Sequence, residues 1–165
     1  MPVDAELRKV ERVDDALAHM VAMFRVELRA LRGRTGAPDD EAGRMEMEQY
    51  IDAGLPVYAA MMDGEYAGYV VCRIADGVVW VESIYVRPEY RRRGVASALH
   101  QRAESIADAC GDDTVYNYVH PNNHRMIAFL RRRGYTVLNL IELRRPHRGE
   151  HCDGIITVGE HEFDY

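Results

Sequence analysis

Val81-Glu82-Ser83-Ile84-Tyr85-Val86-Arg87-Pro88-Glu89-Tyr90-Arg91-Arg92-Arg93-Gly94-Val95-Ala96-Ser97 is the stretch on which the architecture of this 165-residue chain turns. Up to Val86 it is rich in β-branched and aromatic residues and reads as a strand beginning near Val78. Pro88 closes that strand, since proline has no N–H to give to a ladder. Beyond Gly94, residues Val95, Ala98, Leu99, Ala103, Ile106, Ala107 and Cys110 fall on one helical face, which Gly111 terminates. The segment is therefore strand, turn, helix start. Amide N–H groups in a first helical turn have no intrahelical acceptor, and the macrodipole adds positive charge at that end, so an anion is stabilised there. Here those amides belong to Arg92, Arg93, Gly94, Val95, Ala96 and Ser97. The small side chains of Gly94 and Ala96 let an anion such as a pyrophosphate come close to the main chain, and Arg91, Arg92 and Arg93 add charge around it.

Two other phosphate loops are excluded: the chain has neither G-x-x-x-x-G-K-[ST] nor a G-x-G-x-x-G after a strand. Upstream, a short strand is expected over Glu6–Glu11. Asp14 or Asp15 then caps a helix carrying Leu17, Met20, Val21, Phe24, Leu28 and Leu31 and ended by Gly33. Asp39 or Asp40 caps a second helix through Tyr50. Asp-Gly pairs at Asp63-Gly64 and Asp76-Gly77 join three β-rich runs, Val57–Met62, Tyr66–Ala75 and Val78–Val86, into an antiparallel meander. Downstream, a strand over Val115–Val119, a helix capped by Asn122 or Asn123 and ended by Gly134, and two closing strands over Tyr135–Leu143 and Ile155–Phe163 complete the order. The expected fold class is α/β, with a mixed, mostly antiparallel central sheet of about seven strands flanked by about four helices, all in one domain over residues 1–165.

Composition narrows the function classes. The 27 acidic against 21 basic side chains give a net charge of -6, which disfavours nonspecific attraction to nucleic acid. The stretch Met1–Lys9 has no apolar run like a signal peptide, and the run Leu55–Met62 is too short to span a bilayer, so a soluble, cytoplasmic protein with no membrane partner is expected. Cys72, Cys110 and Cys152 form no C-x-x-C pair; Cys72 and Cys110 read as small core residues. His147, His151, Cys152 and His161 match no standard metal-ligand spacing, so no metal is expected. The acidic residues Asp39, Asp40, Glu41, Glu46, Glu48 and Asp52 read as a solvated helix face, with a rim that collects a cationic substrate as the other reading.

Arg91, Gly94 and Ala96 fill the pattern Arg or Gln, two residues, Gly, one residue, Gly or Ala. In its setting after V-R-P-E-Y, this segment resembles the cofactor-binding signature of the Gcn5-related N-acetyltransferases (GNAT). The stretch His120–Tyr135, with Asn123 opening a helix and Gly134-Tyr135 closing it, resembles a second element of that family. The resemblance covers nearly the whole chain in element order and is closest from about Val78 to Arg144.

That resemblance implies acetyl-CoA as acyl donor and an amine acceptor, a small molecule or a protein amine, acetylated by direct transfer in a ternary complex. It implies a strand Val78–Val86 that bulges near its middle and splays from the strand at Val115–Val119. The pantetheine arm would enter the gap and bond to main-chain groups of Ile84, Tyr85 and Val86, with Asn123 a further cofactor contact. An amine of pKa about 10.4 is protonated at neutral pH and must lose its proton before attack. Glu82, which interrupts an apolar strand, is the candidate base, aided by partial burial, and a backbone N–H near Tyr85 would hold the oxyanion. A tyrosine is common in the family where this chain has Leu130; Tyr118 and His120, then Tyr116 and Tyr135, are the candidate replacements as general acid. A noncatalytic acyl-CoA-binding sensor or interaction module is the alternative reading. A homodimer paired through the C-terminal strands is compatible with the sequence.

Overall fold

The computed structural model describes residues 5–165; residues 1–4, part of the stretch inspected for a signal peptide, lie outside the described residues. The described chain forms two compact units, one through Phe129 and one from Leu130 to Tyr165.

In the first unit the order is β1 (Glu6–Lys9), α1 (Asp15–Ala30), α2 (Asp40–Asp52), β2 (Val57–Met62), β3 (Glu65–Ala75), β4 (Val78–Val86), a single 3₁₀ turn (Pro88–Tyr90), α3 (Val95–Cys110) and β5 (Tyr116–Asn117). α4 (His124–Arg132) begins in the first unit and ends in the second. The caps act as the sequence indicates. Asp14 Oδ1 accepts from the Leu17 N–H at 2.8 Å, and Asp39 Oδ1 accepts from the Ala42 N–H at 3.0 Å. Each satisfies an amide that helix geometry leaves without a partner.

The sheet runs β1-β2-β3-β4-β5, antiparallel except for the last pair. Strand alternation sorts its faces. Val57, Ala59, Tyr69, Val71 and Tyr85 join Leu17, Met20 and Val21 of α1 and Met47 of α2 in one core cluster. Gly68 lies on the opposite face, where an added Cβ would sit 3.2 Å from Leu99 Cδ1 of α3 and 2.5 Å from the Tyr85 carbonyl. Cys72 shares that face and is fully buried, and burial pushes its thiol up to about 12, as suits a core residue. Cys110, expected in the core, is exposed in the last residue of α3, where the apolar stripe has run past the sheet.

The second unit closes α4 with Gly134 at φ 92, its N–H and that of Tyr135 returning to Arg131 and Leu130. It then holds β6 (Ile155–Val158) and β7 (His161–Asp164), paired antiparallel around Gly159-Glu160. The expected seven-stranded sheet is thus corrected to five strands and a separate pair. The run Tyr135–Leu143 forms no strand, and Val137, Leu138, Leu140, Ile141 and Leu143 are exposed. A β-rich run becomes a strand only when a ladder partner pairs with it, and among the described residues no strand does so here. The expected strand Ile155–Phe163 is instead the hairpin β6-β7, and the expected strand Val115–Val119 shrinks to Tyr116–Asn117. Among the described residues no helix is long and apolar enough to cross a membrane.

The α1–α2 contact depends on a small residue. A Cβ on Gly43 would lie 2.3 Å from the Ala18 carbonyl oxygen and 2.9 Å from the Ala22 nitrogen, both backbone atoms. Gly43→Ala is therefore expected to destabilise the protein by about 1–3 kcal/mol, the usual cost of overpacking, read as a lowered midpoint in urea unfolding.

Candidate active site

The turn between β4 and α3 supplies the first half of the site. Arg92 has φ 62 and Gly94 has φ 81, both left-handed. Gly94 accepts that conformation without cost, whereas a side chain there costs roughly 1–2 kcal/mol. Gly94 is the N-cap of α3 and brings no side-chain cap. Its carbonyl accepts from the Ala98 N–H at 3.0 Å, yet among the described residues the N–H groups of Arg92, Arg93, Gly94, Val95, Ala96 and Ser97 donate to no protein acceptor. A run of open amides through left-handed residues into a helix N-terminus forms an anion-binding concavity.

The three arginines of the turn behave differently. Arg91 folds back: Nε donates to the Val86 carbonyl at 2.8 Å, and Nη2 donates to both carboxylate oxygens of Glu27, at 2.7 and 2.9 Å. Arg93 leans toward Asp63 at 3.7 Å and over the Tyr90 ring. Arg92 is exposed and has no ion pair among the described residues.

The second half is the edge of β4. β5 pairs with β4 at Trp80↔Tyr116 and Val81↔Asn117, so beyond Val81 that edge has no strand beside it among the described residues. On the other edge the β3–β4 register jumps from Cys72↔Val81 to Val71↔Ser83, which leaves Glu82 as the extra residue of a β-bulge. A bulge bends its strand and re-aims the residues around it. Ser83 and Tyr85 therefore pair with Val71 and Tyr69 on the α1–α2 face, where the Tyr69 and Ser83 hydroxyls are 3.0 Å apart. The Glu82 side chain is 31% exposed and accepts from Arg73 Nε at 3.1 Å. Arg73 in turn stacks on Trp80, 4.3 Å from its ring centroid.

The loop after β5 carries the remaining sequence candidates. Tyr118 is 60% exposed. His120 receives Arg32 Nε at 3.3 Å on Nε2 and the Asn122 N–H at 3.2 Å on Nδ1. A neutral imidazole has one acceptor nitrogen, so the two donors compete. Burial and the Arg32 charge hold the His120 pKa below its ordinary value. Asn123 Oδ1 accepts from the Met126 N–H at 3.1 Å and caps α4. Leu130 is buried.

Sequence reading missed two clusters. Glu27, on α1, accepts not only from Arg91 but from Tyr85 Oη at 3.0 Å and Arg125 Nη2 at 3.1 Å. Burial and Glu27 raise the Tyr85 pKa. The available signal was spacing: Met20, Phe24, Glu27 and Leu31 follow a helical stripe, and an acid within it needs a partner. In the second cluster Glu46, read as part of a solvated acidic face, is bound by Arg25 and by Tyr50 Oη at 2.9 Å. Asp40 of the same acidic set contacts His19 at 2.8 Å.

A family model described as "Acetyltransferase (GNAT) family" matches residues 21–135, more than half of the chain and inclusive of both halves of this site. The chain belongs to the GNAT acetyltransferase family. Among its relatives, a mycothiol acetyltransferase from Clavibacter michiganensis subsp. michiganensis is 31% identical over 114 residues, 64% of this chain and 37% of that protein. The GNAT chain described here thus spans little more than a third of that relative's length. Two solved structures share its fold. AAC(6')-Iy, in complex with the bisubstrate analogue CoA-S-monomethyl-acetylneamine, is 20% identical with a TM-score of 0.61 over 87% of this chain and 98% of its own. A ribosomal-protein-alanine N-acetyltransferase from Brucella melitensis biovar Abortus 2308 is 16% identical with a TM-score of 0.63 over 86% and 98%.

Because the folded form of His120 resists protonation relative to an ordinary histidine at 6.5, its contribution to stability is present above that pH and is lost as the pH falls through the folded pKa. Urea unfolding across a pH series should therefore show stability falling on acidification below 6.5, and His120→Gln should flatten that slope.

Proposed function

We propose that this GNAT chain is an acetyl-CoA-dependent N-acetyltransferase, its residues 1–165 serving as one acetyltransferase domain, that moves the acetyl group to a primary amine by direct transfer in a ternary complex. The observation that carries this reading is the continuous row of open amides from Arg92 to Ser97 beside the strandless edge of β4. Together they meet two needs of one elongated ligand: donors for a diphosphate at the helix N-terminus, and main-chain partners for the amides of a pantetheine arm along Ile84, Tyr85 and Val86. The bisubstrate analogue CoA-S-monomethyl-acetylneamine in the solved complex of AAC(6')-Iy supports the same donor.

In this reading Arg92, free of ion pairs among the described residues, and Arg93 add charge to the cradle, Arg91 buttresses it from behind, and Asn123 contributes a polar group from the start of α4. Glu82, at the bulge, takes the proton from the acceptor ammonium directly or through water; release of Arg73 from its carboxylate accompanies that step. The nitrogen lone pair forms the bond to the carbonyl carbon and the C–S bond breaks as the tetrahedral intermediate collapses; the second proton of the nitrogen passes to the departing sulfur, directly or relayed through Tyr118 or His120, or to water when the sulfur leaves as thiolate. A main-chain N–H near Tyr85 holds the carbonyl oxygen as charge develops. The acceptor class extends from small amines to protein amines, which the names of the two solved relatives span. A homodimer through the second unit belongs to the same proposal, supported by the exposed apolar run at residues 137–143.

One observation favours a second reading, a noncatalytic acyl-CoA sensor: Leu130 is a buried hydrocarbon where the family commonly has tyrosine. Turnover separates the two. The N-acetyltransferase releases thiol from acetyl-CoA when challenged with a panel of amines and peptides; a sensor is thermally stabilised by acetyl-CoA and releases none with any of them.

Gly94→Asp places a side chain at φ 81 and a negative charge in the cradle, and should abolish acetyl-CoA binding in calorimetry while the domain still folds. Unchanged affinity would reject the cradle. Glu82→Gln should lower kcat by about 10²–10⁴-fold with little change in acetyl-CoA affinity, the range for loss of a general base.

A further inference from the structure

Glu27 lies outside both sequence motifs, yet four hydrogen bonds from three residues end on its carboxylate: one from Tyr85, two from Arg91 and one from Arg125. Those residues come from β4, from the turn and from the first turn of α4. Arg91 directly precedes Arg92, whose φ of 62 is unfavourable for any residue with a side chain. Such a residue stays left-handed only when its surroundings overdetermine it. On one side of Arg92 stands Arg93 followed by Gly94, which is left-handed at no cost. On the other stands Arg91, whose backbone is extended and whose guanidinium is fixed at three points. Two of those three bonds go to Glu27; without it the Val86 carbonyl is the one remaining acceptor.

We propose that Glu27 is a positioning residue of the acyl-donor site: by anchoring Arg91 it keeps Arg92 left-handed, and so keeps the amides of Arg92 to Ser97 arrayed for an anion. This rests on the reading of that turn as a diphosphate cradle. Glu27 touches neither the donor nor the acceptor. It acts through Arg91, and its bond from Tyr85 ties the same anchor to the strand proposed to carry the oxyanion donor. A simple strut between α1 and β4 would add stability without regard to the conformation of residue 92, and this is where the two ideas part.

Glu27→Gln keeps size and shape while removing the charge that binds two guanidinium groups. In the ligand-free protein, the three-bond coupling between the carbonyl carbon of residue 91 and the α proton of residue 92 is large at positive φ and small at negative φ; it should be large in the wild type and reduced by averaging in Glu27→Gln. Calorimetry with coenzyme A supplies the second arm. Glu27→Gln should weaken binding about tenfold when residue 92 is arginine but less than about threefold in an Arg92→Gly background, because glycine adopts positive φ without an anchor. Arg91→Met, which cuts the same tether from the other end, should reproduce both effects. A residue 92 that stays left-handed in Glu27→Gln, or an equal loss of affinity in both backgrounds, overturns the proposal. A wild-type protein that takes up no coenzyme A sinks the cradle reading instead, and the coupling constant still decides separately whether Glu27 holds the turn.

Discussion

Main-chain N–H groups inside a fold need acceptors, and the stretch from Arg92 to Ser97 has none among the described residues. The features around it follow from that constraint. A turn that ends in a helix without a capping side chain, with left-handed residues at Arg92 and Gly94, exposes its donors to whatever lies outside. The same condition recurs along β4, where the ladder to β5 stops after Val81. This GNAT chain leaves two sets of main-chain groups open among the described residues, and the proposed function fills both with one elongated polar ligand.

The bulge at Glu82 is the second determinant. One extra residue on β4 shifts the pairing from Cys72↔Val81 to Val71↔Ser83 and brings Ser83 and Tyr85 onto the α1–α2 side of the sheet. Tyr85 can then reach Glu27 on α1, and Glu27 reaches Arg91 behind the turn. A local irregularity in one strand thereby links a helix, a strand edge and the turn before α3 through a single carboxylate. The carboxylate is not fully buried, so its worth lies less in raw stability than in fixing the geometry of two cations.

Much of this was legible from residue order. Asp14 and Asp39 announced their helices because a capping carboxylate three residues ahead of an amide is a local contact. The Asp-Gly pairs announced the meander for the same reason: Asp63, Gly64, Asp76 and Gly77 all take positive φ. The turn between β4 and α3 was legible because a strand closed by proline and a helix opened by glycine are both short-range signals. Tyr135–Leu143 shows the opposite case. Its β-branched and leucine-rich composition matches a strand, yet strand formation depends on pairing with a partner elsewhere in the chain, and among the described residues no strand pairs with it.

Residue order alone therefore determined the helices with their caps, the antiparallel meander and the placement of open amides at the start of α3, since each rests on contacts spanning a few residues. Tertiary structure alone decided that the sheet has five strands with a separate pair, that the bulge falls on Glu82, and that the arginine of the family motif turns inward to a carboxylate 64 positions earlier. The physical reason is range: periodicity records which face of an element is apolar, but which polar group meets which across the fold is set only when distant elements pack together.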